Sequence, residues 1–291
     1  MIKYLISFSL IIMLFSCSSD DQNSSNNSPI TLLCGSATNN GTILVGVILS
    51  AVSSEILYTG GDGTSYASQS INSTGVTGLT ATLSAGTFAN GSGNLTFSIS
   101  GTPNSVGQAT FALNIGQSCD LRLRVEAIPE IGDSFQGGIV FYLDGNGGGL
   151  ISAPSNQPVL KWGSCGDLNG SNSSVVPELD GVGDGQANTT YIANNCGDTS
   201  GNVAAEVCDA LTLNGYSDWF LPSKDELNLM YQNIGQGQGI GVGNVGNFDA
   251  TFYWSSSEHN AGSAWHQFFF TGNQTTGFKT TSLRVRAVRA F

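Results

Sequence analysis

The alternation of apolar and polar positions divides this chain into four stretches. Residues 5–15 are apolar apart from Ser7 and Ser9 and follow the positive Lys3. That run is shorter than the ~20 residues that span a bilayer and has the length of a signal-peptide core. Residues 18–29 read SSDDQNSSNNSP. With almost nothing to bury, they are expected to form an unfolded tether with an r.m.s. reach of roughly 20 Å. From residue 30 to 128 the dominant period is two. Alternating segments at 42–49, 78–83, 95–99, 109–115 and 121–125, bounded by Gly, Asn and Ser, predict short antiparallel strands with no helix between them.

Residues 129–291 mix two periods. A strand led in by glycines over 132–143, a turn through Asp144-Gly-Asn-Gly-Gly-Gly149 and a return at 150–153 predict a hairpin. Val203, Ala204, Val207, Cys208 and Leu211 form one helical stripe, ended by Asn214-Gly215. A second helix opens on the capping box Ser223-Lys-Asp-Glu226, buries Leu227, Met230, Tyr231 and Ile234, and stops at Gly235. Trp219, Phe220 and Leu221 between the helices are expected to plug the core. A glycine-rich loop at 235–247 and strands at 252–256, 263–270 and 283–290 complete an expected α+β domain.

Composition narrows the function. Only 10% of residues are charged, 39 are glycine and the net charge is −12. An acidic chain without a basic tract is a poor partner for nucleic acid or an anionic bilayer. Six cysteines in an exported chain read as disulfide candidates. Cys34 and Cys119 bracket the first domain, and closing that loop stabilises by up to ~4.5 kcal/mol in the chain-entropy account. In the second domain Cys165–Cys196 is the preferred pair, since Cys208 lies on the helical stripe; Cys196–Cys208 is nearly as good. Only two histidines are present, and no Cys-x-x-Cys or His-Glu-x-x-His spacing occurs, so no enzyme is expected.

Three resemblances sharpen these expectations. Leu14-Phe-Ser-Cys17 resembles the lipobox of bacterial lipoproteins, which implies lipidation at Cys17 and anchoring in outer-membrane lipid; the alternative is a plain secretory signal. Asp20-Asp21 is similar to the export signal that sends some Bacteroidetes lipoproteins to the cell surface, which implies a surface-exposed location. Residues 78–103 resemble the Ig-like modules of bacterial surface proteins, which implies an all-β Ig-like sandwich over residues 30–128.

The fourth resemblance is the most specific. Gly137-Gly-Ile-Val-Phe-Tyr142, Asn214-Gly-Tyr-Ser-Asp-Trp-Phe-Leu-Pro-Ser-Lys-Asp-Glu-Leu227, Tyr253-Trp-Ser-Ser-Ser-Glu258 and Arg286-Ala-Val-Arg289 resemble the Fibrobacter succinogenes major paralogous domain family, also described as the Lcl C-terminal-like domain. That resemblance implies a C-type-lectin-like α+β domain over residues 129–291 and a surface adhesin that binds an extracellular glycan or surface protein. The competing expectation is an envelope scaffold with no small ligand. Ligand candidates are Trp162 and Trp265, whose rings offer stacking faces, the polar Glu258, His259 and Asn260, and Arg284 and Arg286, placed on one face of the last strand. No cofactor is expected; Asp180 and Asp184 are weak candidates for Ca²⁺ oxygens.

Overall fold

A computed structural model of the chain describes residues 29–163, 179–196, 202–237 and 242–291. The expected signal segment, Cys17 and nearly all of the tether lie outside the described residues, as does Cys165.

The first half packs a six-stranded sheet against a three-stranded one. The long strand Val52–Gly61 pairs with Gly91–Gly101, which continues to Leu79–Leu83 and Gln69–Asn72. The facing sheet joins Cys119–Val125, Gly107–Leu113 and Thr74–Gly75. Alternate positions point inward, so Ile56, Leu95, Phe97, Phe111 and Leu121 meet in one core. Each such side chain stabilises by about 1.5–3 kcal/mol on burial. The expected disulfide is present: Cys34 on a short 3-10 turn is bonded to Cys119 at the start of a strand, 85 residues away. The strand expected at 42–49 is absent, and Leu44 makes only an isolated bridge with Glu126. Val52–Gly61 takes the central place instead. Its buried face includes Ser54, whose hydroxyl donates to Asn39 Oδ1 at 2.6 Å. A polar residue on the inward face hid the period-two signal.

The second half contains two more sheets. One orders Ser134–Phe135, Gly138–Leu143, Gly149–Ser152 and Val288–Ala290; the other orders Gln157–Lys161, Ser282–Val285, Phe252–Asn260, Ser263–Phe268 and Gln274–Phe278. Among the described residues three helices pack around them: α1 (Gly185–Asn195), α2 (Ala204–Asp209) and α3 (Lys224–Ile234). The fold class expected from sequence is corrected here. Among the described residues 44% lie in strands and 13% in helices, and both halves are built on curled antiparallel sheets. The chain is mostly β throughout, so the α+β C-type-lectin-like expectation for residues 129–291, and with it the paired Ig-like and lectin-like description, is overturned. α1 and α3 are eleven residues long and α2 is six. Only α3 carries a full stripe, with Leu227, Met230, Tyr231 and Ile234 buried.

The last strand expected at 283–290 is two strands. Ser282–Val285 pairs in the five-stranded sheet and Val288–Ala290 in the four-stranded one. The chain changes sheet at Arg286-Ala287, beside the other crossing at residues 153–156. Ala153 N donates to Ala287 O at 2.9 Å, and Ala287 N donates to Gln157 Oε1 at 2.6 Å.

Candidate functional site

The residues singled out from sequence fall into two groups, one inside the fold and one at its surface. Trp162 is wholly buried, and its indole N–H donates to Ser255 O at 2.8 Å. It is core rather than a stacking platform. Glu258 is buried too and pairs with Lys279, whose ammonium lies 4.8 Å from the Trp162 ring centre. Both carboxylate and ammonium are shielded from water, so neither offers itself to a ligand.

Arg286 has an architectural place. It is 1% exposed, and its guanidinium donates to Asn156 Oδ1 (2.9 Å), Ala153 O (2.9 Å), Gly246 O (2.8 Å) and Asn247 O (3.3 Å), with the Phe248 ring centre 4.2 Å away. Burial pulls this guanidinium down to about 10, against the raising effect of Tyr253 and Asp249, so it remains charged at neutral pH. Arg284 is half-exposed and pairs with Asp249 at 3.1 Å. The two arginines do not share a face, because the strand expected to carry both breaks between sheets. The strand expected at 252–256 runs on to Asn260, with Ser255, Ser256 and Ser257 buried. Within the glycine-rich loop, residues 238–241 lie outside the described residues; the rest is tied down by Arg286 and by Asn244, whose side chain bonds both N and O of Phe248 at 2.9 Å.

His259, Asn260 and Trp265 are brought together at the surface. They sit where Phe252–Asn260 turns into Ser263–Phe268. The His259 and Trp265 rings are 5.5 Å apart and perpendicular. His259 Nδ1 lies 3.1 Å from Ser263 Oγ and 3.0 Å from Asn260 Nδ2. Asn260 Oδ1 accepts from Gly262 N at 3.0 Å, which fixes the tight turn. Trp265 is half-buried, and the Lys224 ammonium at the start of α3 stands 4.1 Å from its ring centre while pairing with Asp180 at 3.1 Å. The corner therefore combines an aromatic ring, a part-exposed cation and exposed polar groups.

Beside it, Glu226 organises the entry to α3. It is buried, accepts from Ser223 N and Gly183 N at 2.8 Å each, and so joins the capping box expected from sequence to the loop before α1. Burial pushes its carboxyl up to about 7, although the backbone donors favour the charged form. The Ca²⁺ candidates are engaged within the fold: Asp184 accepts from Gly181 N at 2.8 Å and Asp180 holds Lys224. Among the described residues no group of three or more acidic, His or Cys side chains is gathered as for a metal. Cys208 is a buried free thiol that burial pushes well up; Cys196 is disulfide-bonded, with its partner outside the described residues. His266 is buried between Phe252 and Trp254, and burial pulls it down.

Sequence reasoning missed a groove between the two halves. Two adjoining hollows of about 510 and 480 Å³ share Asn39, Thr42, Phe135, Gln136 and Tyr216. Next to the lining residue Gln136, Gly137 has a positive φ and passes so close to Asn214 that a Cβ there would lie 2.5 Å from the Asn214 Cβ.

Residues 156–289 match the Lcl C-terminal domain family, which covers the five-stranded sheet, all three helices and the Trp265 corner. The matched segment begins after the hairpin at 138–152, although that hairpin shares a sheet with Val288–Ala290. No curated protein sequence matches the chain. Among solved structures, a fimbrial protein from Bacteroides ovatus is 14% identical, with 66% of this chain and 59% of that one covered at a TM-score of 0.40. The Yersinia pseudotuberculosis adhesin InvE is 12% identical, with 90% and 70% covered at a TM-score of 0.22. This chain thus spans 59% of the length of the fimbrial protein.

Proposed function

We propose that this protein is a lipid-anchored, surface-displayed, adhesin-like binding protein that meets an extracellular glycan or surface protein through the Trp265 corner. The observation that carries this reading is the sorting of the candidate residues. Trp162, Glu258 and Arg286 are consumed by the fold, whereas His259, Asn260 and Trp265 form one solvent-facing group beside Lys224. A half-buried aromatic ring framed by exposed polar groups is the arrangement that recognises a ligand with both apolar and hydroxylated faces. The lipobox-like Leu14-Phe-Ser-Cys17 and the polar tether support anchoring at a distance from the membrane. A reactive-cysteine activity is disfavoured by the burial of Cys208.

The test is binding of the full chain to arrays of glycans and extracellular surface proteins, compared with W265A and H259A/N260A. At least one saturable ligand is expected, with binding that falls tenfold or more in both variants. Arrays blank for the native chain, or binding indifferent to both variants, would favour the scaffold reading instead.

A further inference from the structure

The groove between the two halves stands apart from the Trp265 corner and is built like a binding site. Its floor is aromatic: Phe135 packs on Phe291 with ring centres 4.9 Å apart, and Tyr216 lines both hollows. Its walls carry Asn39 and Thr42 from the first half and Gln136 from the second. Volumes near 500 Å³ between domains fall in the range that holds small ligands.

Local backbone strain gathers here. Among the described residues four that are not glycine have positive φ, and three lie at this groove or support it: Ala51 (57°), Gln136 (44°) and Asn214 (54°). Such conformations persist where surrounding contacts over-determine them, and they cluster at ligand clamps. Gln136 is held at both ends of its side chain. Its Nε2 donates to Thr42 Oγ1 at 2.9 Å across the boundary between the halves, and its Oε1 accepts from Arg289 at 2.8 Å. Asn214 Nδ2 donates to Gly137 O at 2.8 Å, holding the same turn from behind.

The electrostatics select the ligand. Arg289 is neutralised by Asp218 at 2.5 Å and lies 3.8 Å from the Tyr216 ring centre. Arg124, at the far hollow, pairs with Glu126 at 3.7 Å. Both cations lining the groove are thus matched, and no net charge calls for an ionic ligand. One face of Tyr216 is taken by Arg289 and Gln136 keeps its second amide hydrogen beside the Thr42 hydroxyl; what remains is the other ring face flanked by amide and hydroxyl groups. We infer that the groove between the halves binds a short neutral oligosaccharide, with a sugar face against Tyr216 and hydroxyls bonded by Asn39, Thr42 and Gln136.

Saturation-transfer NMR on the full chain with maltotriose, cellotriose and N-acetylchitotriose, and with a heparin tetrasaccharide as charged control, tests this. At least one neutral trisaccharide is expected to bind. Ser50→Trp, which fills the groove from an exposed position, and Tyr216→Ala should each weaken it tenfold or more. The same comparison is made in the Trp265→Ala background, where the surface corner no longer contributes, and Ser50→Trp and Tyr216→Ala should weaken binding there as well. Binding of no neutral trisaccharide, binding by the heparin fragment alone, or full binding in Ser50→Trp within the Trp265→Ala background would each overturn the assignment. Circular dichroism of Ser50→Trp matching the native chain assures that its loss of binding reports the groove and not the fold.

Discussion

The guanidinium of Arg286 donates to the carbonyl oxygen of Ala153 at 2.9 Å, joining the two points at which the chain passes between the sheets of its second half. The same side chain holds Gly246 O and Asn247 O from a third segment. One planar cation with several fixed donors thus fastens three stretches distant in sequence, a geometry an ammonium does not reproduce.

Removing Arg286 leaves the buried Gly246 carbonyl without its donor, at about 1–3 kcal/mol, and empties the space its buried side chain fills, while Ala153 O keeps the Ser152 hydroxyl. R286A should therefore lose at least ~3 kcal/mol in urea unfolding, and R286K should recover only part of it. A loss under ~1 kcal/mol in R286A would remove the fastening role.

The Lys279–Glu258 pair makes a second stability prediction. Both groups are buried, with side chains 3% and 1% exposed. K279M leaves an uncompensated buried carboxylate and should cost about 3–5 kcal/mol. The double variant K279M/E258L should be more stable than K279M alone. Additive losses in a double-mutant cycle would contradict the pairing.

Glu226 makes stability depend on pH. Its carboxyl is raised from 4.5 to about 7 by burial, so the folded state holds the proton more tightly than the unfolded chain does. That stabilisation is complete below about pH 4.5 and is lost as pH rises to about 7, with a span of roughly 3 kcal/mol at most. The urea midpoint should fall across that window, and E226Q should flatten the fall. An E226Q profile parallel to the native one would assign the dependence to other groups.

The cysteines predict a chemical pattern. C34S/C119S should lower stability of the first half by about 2–4 kcal/mol. Cys208 should resist alkylation in the folded chain and react once denatured, as its buried, strongly raised thiol implies. Rapid native labelling of Cys208 by iodoacetamide would contradict its placement.

How far the sequence spoke depended on whether buried positions were apolar. α3 was legible because Leu227, Met230, Tyr231 and Ile234 repeat at helical spacing behind a capping box. α1 was not, since its buried positions include Asn188 and Thr189, which bond Leu179 O and Leu221 O rather than packing as hydrophobes. Val52–Gly61 was hidden in the same way by Ser54. Arg286 and Glu258 illustrate the complementary error: a charged residue reads as surface until its partners are known, and those partners lie 133 and 21 positions away. The Trp265 corner was legible in part, through His259, Asn260 and Trp265, but Lys224 reaches it only through the packing of α3. The groove between the halves depended on the relative placement of two sheet systems, which no local pattern encodes.

The decisive measurement is adhesion of cells displaying the full chain, beside cells displaying W265A at an equal level. Native chains should confer attachment to a ligand-bearing surface, and W265A should return it to the level of cells lacking the protein. Attachment by W265A equal to the native level would contradict a binding role for the Trp265 corner.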